Sequence, residues 1–276
     1  MSSEDRVQER RALVTATLTE VGRRSRNEDR LGTAEASGVH AWMVCDGLGG
    51  HDNGDLAAEA AVGAALRALA TPAGTLVETA ETMIRSANEA VIAARAERGG
   101  ESGAESLMAS TISLVVSDGS AVAWAHAGDS RIFRFRSGNG EQVMRDHTIA
   151  ESMRALSNNG RREEESQHAT QLLSSLGTTE MYYDVSALEP LEAGDVFLIA
   201  SDGLWGAVPL RTMVSELHAA SSLEAWLAGL RDRVERRRDP DQDNFTGVAF
   251  GADLQPGATL GGRASNGGWR ALFGWL

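Results

Sequence analysis

Two segments of the chain carry the same short signature, an aspartate and a glycine at the end of an apolar run: Cys45-Asp46-Gly47 and Ser201-Asp202-Gly203. A third acidic position, Asp243-Asn244, stands just before the apolar stretch Thr246 to Gly251. Short apolar runs of this kind read as buried strands. The aspartates therefore fall at strand ends, where glycine lets the backbone come close. Carboxylates that converge without partners raise one another's pKa values. A divalent cation removes that conflict, and oxygen donors without Cys or His favour magnesium or manganese. For a single Asp-Gly the simpler reading is a capped turn; three acidic positions at strand ends weaken it.

Other chemistries fail on spacing or composition. A cysteine phosphatase needs an arginine six positions after its nucleophile, and six after Cys45 is His51. An aspartyl-phosphate mechanism usually shows a second acid two residues on, but Asp46 is followed by Gly47-Leu48. Asp239, Asp241 and Asp243 have calcium-loop spacing, yet the sixth position is Asn244 and the twelfth Phe250, not glycine and glutamate. There is no Gly-x-Ser-x-Gly elbow. No lysine is present, so all 26 basic residues are arginine and a P-loop or Schiff-base lysine is excluded. A single cysteine excludes an intramolecular disulfide framework and fits a reducing cytoplasm. The net charge of −13 argues against nucleic acid and anionic membrane as partners. Met1 to Arg11 lacks the apolar core of a signal peptide, and no run is long enough to span a bilayer.

The elements that must position these acids follow from periodicity. Ala12 to Thr19 alternates as a strand, Gly22 to Arg30 reads as a turn, and His40 to Cys45 as a buried strand. Asp46 to Asp55 is a loop, with helices expected at Leu56 to Ala70 and Thr75 to Arg98. Ser110 to Ser117, Ala121 to His126 and Arg131 to Arg136 form a meander broken by Asp118-Gly119-Ser120 and Gly128-Asp129-Ser130. After a turn at Ser137 to Gly140 comes Glu141 to Met144, and His147 to Gln171 reads as an exposed helical excursion. A strand at Asp195 to Ser201, helices at Leu210 to Ala220 and Ser222 to Arg237, and a last strand at Thr246 to Gly251 complete the order. With 42% hydrophobic residues the chain can bury a large core. The order predicts an α+β fold: a four-layer α-β-β-α sandwich of two central antiparallel sheets flanked by helix pairs. Residues 1–11 are expected as an extension, 12–253 as the folded domain, and 254–276 as a Gly/Ser-rich tether. The tether would end in an aromatic tail, Trp269 to Leu276, suited to docking a partner.

Six segments occur in one order: Arg24-Ser25-Arg26-Asn27-Glu28-Asp29, Asp46-Gly47-Leu48-Gly49-Gly50-His51, Gly128-Asp129-Ser130-Arg131, Asp146-His147-Thr148, Ser201-Asp202-Gly203-Leu204 and Asp243-Asn244-Phe245-Thr246. Each is weak alone. Together, over Ala12 to Gly251, they resemble the metal-dependent protein phosphatases of the protein phosphatase 2C family in its compact bacterial form. The resemblance implies a centre of two manganese or magnesium ions that hydrolyses phosphoserine and phosphothreonine in proteins. By position, Asp46 would bridge the ions, the Gly47 carbonyl would bind one, and Asp202 and Asp243 the other. Asp29 would hold coordinated water, with Glu28 and Asn244 beside it. Asp129 would serve a third, weaker site, and Arg24 would clamp the substrate phosphate. Residues 147–180 correspond to a flap that affects substrate choice.

The pattern is not complete. Leu48 stands where many eukaryotic members have a histidine, and Leu173-Ser174-Ser175-Leu176-Gly177 departs from the usual run at the end of the flap. His147 is read as an anchor of the flap. The expected partners are phosphorylated proteins and a cognate Ser/Thr kinase, for a cytoplasmic monomer. A catalytically silent phosphoprotein-binding scaffold and a small-molecule phosphatase are the alternative readings.

Overall fold

The computed structural model describes residues 10–49, 53–102, 108–156, 171–254 and 260. The chain opens with strands β1 (Leu13–Glu20), β2 (Arg30–Ala36), β3 (Val39–Cys45) and the two-residue β4 (Gly47–Leu48). Helices α1 (Gly54–Leu69) and α2 (Leu76–Ser102) follow. Strands β5 (Ala109–Ser110), β6 (Ile112–Ser117), β7 (Ala121–Ala127), β8 (Arg131–Arg136) and β9 (Asn139–Gln142) form the meander. Then come α3 (Ile149–Leu156), β10 (Asp184–Val185), β11 (Glu189–Pro190) and β12 (Val196–Ala200). A short α4 (Asp202–Trp205), α5 (Leu210–Ala219), α6 (Leu223–Arg236) and β13 (Phe245–Ala252) complete it.

The strands sort into two antiparallel sheets, ordered β1-β13-β12-β8-β9 and β10-β7-β6-β3-β2, with β11 beside β7 and β4 pairing with β5. Side-chain alternation divides the core into three layers. Ala41, Met43 and Cys45 of β3 face α1 and α2, while Trp42 and Val44 face the other sheet. Val196, Leu198 and Ala200 of β12 face α5 and α6, while Phe197 and Ile199 point inward. Both sheets are thus buried on both faces, and the four-layer α-β-β-α sandwich expected from the element order is found. Among the described residues no helix is long and apolar enough to cross a membrane.

Local chemistry starts the helices. Before α2, Thr75 and Glu78 form a reciprocal capping box: Thr75 N donates to Glu78 Oε2 at 2.8 Å and Glu78 N to Thr75 Oγ1 at 3.2 Å. Ser222 caps α6 by accepting from Ala225 N. Alanines at 57, 58, 61 and 65 let α1 lie close against Ala80, Met83, Ile84 and Ala87 of α2.

The structure departs from the sequence expectations at three places. Strand β2 is not anticipated: the expected turn ends at Arg30, and Leu31-Gly32-Thr33-Ala34-Glu35-Ala36 is too polar to stand out as a strand. It is an edge strand that buries only Gly32 fully. Strand β9 begins two residues earlier than expected, because Ser137 and Gly138, at φ +53° and +79°, make a tight two-residue hairpin turn. The excursion is helical over Ile149–Leu156, but it does not begin exposed, since His147 and Thr148 are both buried. Residues 157–170 of the flap, His51 and the aromatic tail lie outside the described residues.

The domain's two ends close on each other. Ala12 N donates to Asp253 Oδ1, Asp253 N to Ala12 O, and Arg11 pairs with Asp253 at 3.1 Å. The expected tether does not leave at once, because Leu254 and Leu260 pack on the α5–α6 side and Leu260 N donates to Ala220 O.

Between the sheets Phe197 stacks on Phe250 with centroids 4.9 Å apart, and Phe250 on Trp42 at 3.8 Å. Phe197→Ala is expected to cost about 3–5 kcal/mol. A lower urea midpoint at unchanged denaturant slope would show it; a cost well under 1 kcal/mol would mean that the stack is not the centre of the core.

Candidate metal centre

Antiparallel pairing sets which ends meet. Cys45 at the end of β3 pairs with Arg30 at the start of β2, and Ala127 at the end of β7 pairs with Ile112 at the start of β6. In the other sheet, Ala200 at the end of β12 pairs with Arg131 at the start of β8 and with Gly247 near the start of β13. Glu20 at the end of β1 pairs with Phe245. Asp29, Asp46, Asp129, Asp202 and Asp243 therefore all lie just beyond strand ends on one side of the sandwich.

Two glycines let the loops close. A Cβ on Gly47 would sit 2.1 Å from the Gly54 carbonyl oxygen. One on Gly203 would sit 2.0 Å from the carbonyl oxygen of Asn244. The glycine in each Asp-Gly thus serves a backbone contact: Gly47 seats Asp46 against the start of α1, and Gly203 draws Asp202 to Asp243. The Asp46 backbone is pinned further. Its N–H donates to Thr111 Oγ1 at 3.0 Å, and its carbonyl accepts from Thr111 N at 2.8 Å and from Ser110 Oγ at 3.0 Å.

The carboxyls crowd one another. Burial, then the charges of Asp29, Asp202, Asp129 and Asp243, push Asp46 well above the usual carboxylate range. Burial pushes Asp29 up to about 6, although Ser201 Oγ donates to its Oδ2 at 2.7 Å. Asp129 is pushed up to about 7 by burial and then by Asp202 and Asp146. Asp202 is raised by burial and then by Asp243. The donor set is all oxygen, partly buried and too negative to stay ionised alone, which fits hard divalent cations. Cys45, next in the chain, is fully buried with its thiol pushed up by burial and by Asp29 and Asp46, so it offers no nucleophile.

The loop carrying Arg24, Glu28 and Asp29 is tied down by Asn244. Its Oδ1 accepts from Glu28 N at 2.8 Å, and its Nδ2 donates to the carbonyls of Val21 and Arg26. Glu28 is raised by burial and then by Asp55. Arg24 donates to Asp243 Oδ2 at 2.7 Å, with side chains 58% and 41% exposed. An ion pair so exposed contributes about 0–1 kcal/mol, so Arg24 can leave it for another anion at little cost.

Several supporting residues escaped sequence reasoning. Trp205 Nε1 donates to the Asp129 carbonyl at 3.0 Å, and the Arg131 guanidinium lies over the Trp205 ring at 3.3 Å. Asp146 then holds Arg131 with both carboxylate oxygens. Thr111, Ser130 and Ser201, at strand ends, and Thr246 in β13 are buried beside the acids. His147 acts as the expected anchor: its backbone N donates to Gly128 O, and its Nε2 lies 3.1 Å from Asp184 Oδ2. The departing run before Gly177 is anchored too, with Leu176 buried and its N donating to Ser110 O at 2.7 Å.

Comparison with known proteins agrees with this architecture. Residues 20–241 match the family model described as protein phosphatase 2C. The serine/threonine phosphatase stp of Listeria welshimeri is 30% identical over 216 residues, which cover 74% of this chain and 83% of that protein. The serine/threonine protein phosphatase PstP of Mycobacterium tuberculosis is 29% identical over 207 residues, 73% of this chain. The match spans only 38% of the length of that mycobacterial protein. A crystal structure of the catalytic domain of PstP, in complex with two manganese ions, superposes with a TM-score of 0.73 at 26% identity. It covers 87% of this chain and 98% of that one. With its strand-end aspartates gathered on one side of two packed sheets, this chain belongs to the protein phosphatase 2C family.

Proposed function

We propose that the chain hydrolyses phosphoserine and phosphothreonine esters in proteins, using two manganese or magnesium ions held by the strand-end acids. The observation that carries this reading is the convergence of Asp29, Asp46, Asp129, Asp202 and Asp243, with the first four carboxyls pushed upward by burial and by their acidic neighbours. Asp46, the Gly47 carbonyl, Asp202 and Asp243 would hold the two ions, Asp29 would assist, and Asp129 would serve a third, weaker site. When bound, such a pair of cations activates water for in-line attack and neutralises charge on the phosphoryl group.

The chain's own groups do the rest. Arg24 leaves Asp243 and binds two phosphoryl oxygens with its planar fork, which orients the ester toward the acids. Ser201 holds Asp29 by donating to Oδ2, leaving the other oxygen for the centre. Trp205 fixes the turn of Asp129 through its carbonyl. Asn244 keeps the Arg24 loop in register with Asp243. A kinase counterpart and a cytoplasmic setting belong to the same proposal. Against a silent scaffold stands the full set of acids; an aryl phosphate compared with phosphopeptides and sugar phosphates separates protein from metabolite substrates.

Turnover of an aryl phosphate should require manganese or magnesium and stop with excess chelator. Asp202→Asn should lower it about 10²–10³-fold, the scale for losing one charge-stabilising group, with the melting transition retained. Full activity in chelator would refute the proposal. Arg24→Ala should raise KM about tenfold to a hundredfold, the worth of charge-assisted hydrogen bonds to the phosphoryl group. A change confined to kcat would remove Arg24 from substrate binding.

Metal loading should also depend on pH in a defined direction. Asp29 and Asp129 bind protons more tightly folded than unfolded. Their contribution to the metal-free chain is therefore greatest at low pH and falls as pH rises from the ordinary 3.8 through about 6 and about 7. Manganese should accordingly raise the melting temperature more at about pH 8 than at about pH 5, where protons compete for the same oxygens. Equal increments at both pH values would count against these carboxylates as ligands.

A further inference from the structure

A second group of ligand atoms lies where the flap leaves and rejoins the sandwich. We propose that His126, His147 and Asp184 form a separate site for a transition-metal dication, zinc foremost, that clips both ends of the flap to β7. One ligand atom from each of the three lies within 4.8 Å of the others. His147 Nε2 and Asp184 Oδ2 are 3.1 Å apart. Ligands about 2.0–2.1 Å from a tetrahedral zinc stand about 3.3 Å from one another, so this pair already spans one edge of such a shell.

The independent observation is an unpartnered nitrogen. His126 is 2% exposed, its Nε2 donates to the Arg145 carbonyl at 2.7 Å, and its buried Nδ1 has no hydrogen-bond partner. With the proton on Nε2, Nδ1 carries a lone pair in the interior, beside the His147 ring at 4.1 Å between centroids. Burial holds His126 down to about 4, so that lone pair is available at neutral pH. A ring N–H on a backbone carbonyl is the usual outer partner of a metal-binding histidine. Asp184 has one as well, because Tyr182 Oη donates to its Oδ1 at 2.8 Å and leaves Oδ2 for the site.

Binding at His147 Nε2 moves that ring's proton to Nδ1. The contact given up there, from Gly128 N, is 3.4 Å long, beyond an ordinary hydrogen bond. Asp184 is 42% exposed at the side chain, which leaves a path for the ion and an open fourth position for water. Two imidazoles and one carboxylate suit zinc, cobalt or nickel, while the all-oxygen centre suits manganese and magnesium. The two sites therefore sort ions by chemistry, and the clip does not depend on the phosphatase reading.

The test titrates the full chain, saturated with magnesium, with Zn2+ by calorimetry and with Co2+ by visible absorption. One Zn2+ per chain and a Co2+ spectrum of a nitrogen-containing, low-coordinate site are expected. Asp184→Asn, at a partly exposed side chain, should weaken Zn2+ binding by about tenfold or more, and His126→Gln should abolish the Co2+ bands. Asp202→Asn should leave both signals intact even where it stops phosphate ester turnover. Zn2+ affinity untouched by Asp184→Asn, zinc binding lost in Asp202→Asn instead, or no binding to the magnesium-saturated chain would each overturn the site.

Discussion

Everything at the active end of this molecule depends on repulsion among carboxyls that the sheets force together. Left in the interior, a carboxylate loses its hydration, and each added neighbour makes ionisation harder. Without a cation such acids hold protons: burial pushes Asp29 up to about 6 and Asp129 up to about 7. That state is a poor one at neutral pH. It is also the state a pair of dications relieves most, so the energetic cost of assembling the acids becomes selectivity for hard cations.

The repulsion would separate the acids if they rode on independent loops. They stay together because Asp46, Asp129, Asp202 and Asp243 adjoin strands whose register is set by burial on both faces, while Asp29, before the edge strand β2, is held by Ser201. A slip of one residue in β3 or β12 would exchange Trp42 with Met43, or Phe197 with Leu198, between layers of different width. The hydrophobic core therefore acts as the clamp for the charged end. Gly47 and Gly203 close the remaining gap, since any side chain there would push two backbones apart.

Much of this was legible in the residues. The central strands, four of the helices and the strand-end acids are written in strong periodicity and in Asp-Gly pairs. Strand β2 was not, because an edge strand covered on one side by α1 needs few apolar residues and carries arginine and glutamate. The supports of the acids were not legible either. Trp205 sits in a four-residue helix and reaches Asp129 only through its indole N–H, a contact between positions 76 residues apart with no local signature. Asn244 could be placed beside the metal centre by resemblance. Its role in lacing the Arg24 loop rests on three hydrogen bonds that span more than 200 residues of chain. Interactions that close over such separations depend on tertiary geometry that no local pattern encodes.

The histidines show the same limit from the other side. His126 lies in a strand that reads as plain core, Ala121-Val122-Ala123-Trp124-Ala125-His126-Ala127, and its spacing to His147 and Asp184 matches no metal motif. What distinguishes it is an accounting of donors and acceptors. A fully buried imidazole with one nitrogen satisfied and the other bare carries a cost of about 1–3 kcal/mol that a native core normally avoids. The bare nitrogen lies in the strand that leads into the Asp129 turn, and the flap leaves and returns through its two neighbours. An ion bound there would couple the order of the flap to the position of that turn through β7, without touching the carboxylate centre. The two ends of the flap would then be fixed by imidazole chemistry and the reacting phosphate by all-oxygen chemistry, in one molecule and a few residues apart.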